Sequence, residues 1–165
     1  MIGLLPVVFL TLSAQPVALT NARVYPGDGP VIPNGVVVVM DGKIIAIGPV
    51  GKVAIPNDAI VRDLAGKVVI PGLVDTHSHL GIFSRPGVSA NSDGNEGSGP
   101  VQPALRALDA VNPDDPGIRM AVAGGLTTAN IMPGSGNAIG GQTVYVKLRG
   151  GTVEAIRVEI GRAHV

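Results

Sequence analysis

The 165-residue sequence predicts an α/β protein in which a small β-rich module, of sandwich or half-barrel type, leads into a parallel strand–helix–strand unit. Three observations carry that prediction. Short β-branched runs alternate with turn residues from Val17 to Ile70. At Val68 the pattern changes to one long apolar run, VVIPGLVDTHSHLG. A helix signal and a further β run then follow, which is the order of a right-handed parallel crossover.

In chain order, the apolar stretch Ile2 to Ala14 is too short to span a bilayer, which takes about 20 residues. With small Ser13 and Ala14 before Gln15, residues 1–16 read as a truncated export signal, so the expected location is periplasmic or secreted. A buried first strand is the other reading, although Pro6 speaks against a central one. From 17 to 70 the β-rich module begins with Ala22 to Tyr25. Val36–Met40 and Lys43–Ile47 then flank Asp41-Gly42, a type I′ hairpin signal. Ala59–Leu64 and Lys67–Ile70, either side of Ala65-Gly66, read as a second antiparallel pair.

From 71 onward, the apolar strand through Val74 suggests burial on both faces. The Gly/Ser/Asn/Pro-rich stretch from Ser84 to Pro103 is a long loop, which in a compact domain is functional or disordered. Leu105, Leu108 and Val111 recur at helical spacing. Asp114-Asp115-Pro116 starts a helix that Gly124-Gly125 stops, so Pro116–Ala123 is helical. Leu126–Met132 is the next strand, and Gln142–Leu148 alternates as a further one, in an inserted hairpin. The last seven residues, 159–165, resemble translated sequencing adapter and are set apart, His164 with them.

Composition excludes several functions. Twelve basic residues balance twelve acidic ones, so nothing attracts nucleic acid or an anionic membrane. Two Tyr, two Phe and no Trp leave no stacking platform for single strands. Without cysteine there is no disulfide scaffold and no thiol nucleophile.

The residues with chemistry are His77 and His79. Residues two apart on a strand share a face, so Asp75, His77 and His79 are expected to point together at the strand's C-terminal end. In α/β sheets and barrels that end holds the site. Two imidazoles so spaced can hold one divalent ion, most naturally zinc. A bare His-x-His is more often surface or core histidine; here its setting after Pro71-Gly72 on an apolar strand favours metal.

In that setting, PGLVDTHSH resembles the amidohydrolase superfamily of metal-dependent hydrolases, nearest its imidazolonepropionase-like branch. The hairpin DGKIIAIG is similar to part of the family's composite N-terminal domain. The resemblance runs from about Val17 to Val158. It implies that residues 71–158 open an incomplete TIM-type (β/α)8 barrel, with His77 and His79 as metal ligands. Asp75 becomes an outer-shell residue or, equally, a structural strand-end aspartate. The implied activity is hydrolysis of carbon–nitrogen bonds in a small amide, cyclic amide or dipeptide-like substrate. The family's later ligands and its final-strand aspartate have no counterpart here. The expectation is therefore an N-terminal part of a longer enzyme, inactive alone. The rival reading is a secreted, non-enzymatic β-rich module whose His-x-His is structural or incidental. Substrate identity, metal nuclearity and oligomeric state stay open.

Other signals carry less. GSGNAIGG (134–141) lacks the Lys-Ser/Thr of a phosphate loop and reads as a flexible loop or turn, with Asn137 or Gln142 as conceivable substrate donors. Asp93 and Glu96 read as solvated loop residues, Lys147 as a solvated lysine, and Ser78 as facing away from the histidines.

Overall fold

A computed structural model of the chain describes residues 14–149 and 151–158. The apolar run at 2–13 and the tail at 159–165, with the readings attached to them, lie outside the described residues. The chain divides into two compact units, Met1–Pro71 and Gly72–Val165.

The first unit holds β1 (Val17–Val24), β2 (Ile32–Met40), β3 (Lys43–Pro49), β4 (Ile60–Asp63) and β5 (Val68–Val69). They form one sheet of order β3-β2-β1-β4, with β5 also on β1. The hairpin between β2 and β3 is as the sequence predicts. Asp41 and Gly42 take φ of 49° and 70°, the left-handed pair that a type I′ turn requires. Of the two expected forms, sandwich or half-barrel, the described residues of this unit show one sheet and no second sheet to pack against it. Val36 to Val39 has no polar alternate, so it is apolar on both sides. Val36 and Val38 bury with Ala18, and Val37 with Ala22 and Val24.

The expected antiparallel pair around Ala65-Gly66 is also corrected. β4 and β5 both run parallel to β1, pairing Val17↔Ile60 to Thr20↔Asp63 and then Arg23↔Val68. Ala65-Gly66 is a jog within one line of chain, not a reversal. It matches a bulge at Asn21, whose carbonyl accepts the Gly66 N–H at 2.7 Å. Asp63 steadies the jog by accepting from the Ala65 N–H at 2.7 Å and the Asn21 amide at 3.0 Å.

The second unit runs β6 (Leu73–Ser78), a 3-10 turn at Ser89–Asn91, α1 (Ala107–Ala110), α2 (Pro116–Ala123), β7 (Leu126–Ile131), β8 (Val144–Lys147) and α3 (Val153–Ile156). The sheet order is β6-β7-β8, with β6 parallel to β7 and β8 antiparallel to it. The β6–α2–β7 crossover is therefore present, and β8 returns as the expected hairpin. Ala129, Ile131 and Val146 pack with Ile82, Ile118 and Ile156 to form the core. Burial of β6 on both faces does not hold: Leu73 and Val74 are half exposed, because β6 is an edge strand among the described residues. No helix among the described residues is long and apolar enough to cross a membrane.

Candidate metal centre

β6 carries the histidines to the C-terminal edge of its sheet, and the last residues of the strand are irregular. Between the pairs Asp75↔Ala129 and Ser78↔Ile131, two residues of β6, Thr76 and His77, run against one of β7, Asn130. Strict alternation therefore fails here, and face-sharing by Asp75, His77 and His79 cannot be deduced from it. Asp75 accepts the His77 main-chain N–H at 3.0 Å, so its carboxylate braces the bulged backbone. The two rings still meet. Their centroids are 5.4 Å apart and their planes stand at 88°.

His79 is held more tightly than His77. Its Nδ1 lies 2.9 Å from the Met132 carbonyl. A carbonyl only accepts, so Nδ1 carries a proton in this contact, and Nε2 is the ring nitrogen left without a protein partner among the described residues. Phe83 meets the ring edge-on at 5.7 Å. The His79 carbonyl accepts from the N–H groups of Ile82 and Phe83 at 3.1 and 3.3 Å, closing a turn directly after the histidine. The pair opens on a groove of about 370 Å³ that Asp75, Phe83, Arg85 and Asp115 also line.

The separation of the two rings is compatible with one shared divalent ion. Two imidazoles bound to one ion at tetrahedral angles place their centroids about 5 Å apart, given nitrogen–metal distances of roughly 2.0–2.1 Å. The observed 5.4 Å is close to that. The set is incomplete, however, since no group of three His, Cys, Asp or Glu gathers among the described residues.

Asp115 was legible only as a helix cap, and it does more. It is 2% exposed. Its carboxylate accepts from Gly117 at 2.9 Å, which caps α2, and from Gly81 and Arg85 at 3.0 Å each. Burial pushes its pKa up, but those three N–H groups and the Arg85 charge outweigh it, so the carboxyl is held below its ordinary value. The turn after His79 is thus tied to the start of α2. No local pattern announced partners 30 and 34 residues away.

Most of the remaining candidates take structural roles. Asn137 uses its whole amide within the protein, accepting from the Glu96 N–H at 3.1 Å and donating to the Glu96 and Gly99 carbonyls. Exposed Glu96 accepts the Ser98 N–H at 2.8 Å, and that bond holds its carboxyl below the ordinary value. Asp93 is exposed. Lys147 donates to Thr128 Oγ1 at 2.9 Å, so it is anchored to the sheet and not merely solvated. Ser78 is buried opposite Ile131.

No protein-family model matches the chain. Individual proteins do. An amidohydrolase named tasK from Hapsidospora irregularis is 38% identical over 116 residues, covering 70% of this chain and 11% of that protein. An imidazolonepropionase from Acidiphilium cryptum is 38% identical over 134 residues, covering 71% of this chain and 32% of its own length. Among solved structures, an amidohydrolase from Thermotoga maritima MSB8 superposes with a TM-score of 0.76 and 41% identity, over 87% of this chain and 37% of that one. The chain therefore spans between about a tenth and two fifths of the length of these proteins.

Proposed function

This chain belongs to the amidohydrolase superfamily, and from that premise we propose that the whole protein is a metal-dependent hydrolase of carbon–nitrogen bonds in small amide or cyclic-amide substrates. The observation that carries the proposal is the His77–His79 pair, 5.4 Å between centroids at the end of β6, with the His79 Nδ1–H committed to Met132. His77 and His79 would hold the ion, and the Met132 contact at Nδ1 would leave His79 its Nε2 for that purpose. A divalent ion so held supplies Lewis acidity, acidifying water and polarising a carbonyl. The chain's own residues orient the two rings: Asp75 through the His77 main chain, Met132 through the His79 proton, and Asp115 through the turn that follows.

Two ligands are one fewer than a catalytic zinc site uses. The chain by itself is therefore expected to bind zinc weakly and to turn over no substrate. Calorimetric titration with zinc tests the ligand assignment. Binding by the chain that disappears in His77→Ala and in His79→Ala supports it. Equal binding by all three proteins refutes it.

A further inference from the structure

We propose that the two glycine-rich loops following β6 and β7 form one clasp that fixes the tautomer and plane of the His79 ring, with Asn137 as its positioning residue. The contacts make a closed circuit. From His79 Nδ1 it passes to the Met132 carbonyl at 2.9 Å, and Met132 is itself pinned by its N–H to the Ser78 carbonyl at 2.8 Å. Two residues on, the Gly134 N–H donates to the Gly94 carbonyl at 2.6 Å, crossing to the other loop. Gly94 lies against the Phe83 ring so closely that a Cβ there would overlap it, and Phe83 packs edge-on against His79.

Side-chain amides lock the crossing. Asn95 accepts the Gly136 N–H at 2.8 Å and fills the space over Gly134 and Gly136, where a Cβ at 136 would come within 2.7 Å of its oxygen. Asn137 reciprocates by binding Glu96 through both its N–H and its carbonyl, and Gly99 besides. Gly134 and Gly136 thus serve close approach to Asn95 across the two loops. Free histidine side chains favour the Nε2–H form. Holding Nδ1–H instead requires the acceptor to stay in place, which is what tying down both loops achieves.

The clasp deepens the metal reading and rests on it for its purpose, but its test does not. The whole chain, uniformly labelled with ¹⁵N, is compared with Asn137→Ala and Gly136→Ala at about pH 8, above the usual histidine range. The expected two-bond ¹H–¹⁵N pattern for His79 is Nδ1–H alone in the unsubstituted chain. In both variants a mixture with Nε2–H is expected, with an unchanged His77 pattern; at least tenfold faster exchange is expected at the Glu96 amide in Asn137→Ala and at the residue-136 amide in Gly136→Ala. Gly136→Ala displaces Asn95 without touching Asn137, so it carries the test should Asn137→Ala fail to fold. A His79 pattern unchanged while the Glu96 amide in Asn137→Ala, or the residue-136 amide in Gly136→Ala, exchanges faster overturns the clasp, as does a mixed pattern in the unsubstituted chain. Zinc affinity separates the two ideas. A drop of about tenfold in the variants upholds both. A tautomer change with no zinc binding in any protein sinks the metal reading and leaves the clasp.

Discussion

Asp115 is a nearly dry carboxylate that three main-chain N–H groups surround. Removing it uncaps α2 and strands two further donors, so Asp115→Ala is expected to cost about 3 kcal/mol in urea unfolding of the chain. Because its folded pKa is depressed below 3.8, the stability it confers is complete above that value and is lost as the pH falls through the lower folded-state value. Asp115→Asn keeps the shape but not the charge, so its stability should depend less on pH across the acid range. Parallel melts of the two proteins between pH 5 and 3, a span of about two units around the ordinary aspartate pKa, check this. The sequence showed the cap, because Asp-Pro at a helix start is a local pattern. It could not show Gly81 and Arg85, since which distant turn meets a helix start is decided by packing. Asn137 is the mirror case. Its residue type suggested a free donor, yet every polar atom of its side chain is engaged across the loops.

Among the elements, those with local causes were legible. The Asp41-Gly42 hairpin and α2, whose bounds Pro116–Ala123 follow from Asp115-Pro116 and Gly124, stand where their residues put them. Gly42 holds φ at 70° with open space around it, so Gly42→Ala meets backbone strain only. It is expected to cost about 1 kcal/mol, read as a lower melting midpoint. Ile131→Ala, by contrast, empties a filled core site and should cost about 2–5 kcal/mol in the same measurement. Elements defined by partner choice were not legible. Ala65-Gly66 looks like a hairpin turn because alanine and glycine both adopt left-handed backbone there, at φ 50° and 77°. Only the bulge at Asn21 reveals that the chain carries on alongside β1. The slip in β6 escaped for a similar reason, since it is a mismatch in count between two strands 50 residues apart.

Over the whole chain, protection of amides should follow the packed clusters. Hydrogen exchange is expected to be slowest at Ala129, Ile131 and Val146 and at Val36 and Val38, and faster by orders of magnitude at Val74 on the edge strand. The histidine pair was legible because its spacing and its place after an apolar run are sequence properties. What steadies it was not, because a carbonyl, two bare glycines and a phenyl edge leave no signature in the order of residues. The Met132 oxygen makes the point most sharply. It belongs to the peptide unit and not to methionine, so any codon at 132 supplies it. For this contact alone, proline is the one residue ruled out at 132, because it would strip the N–H that Ser78 receives.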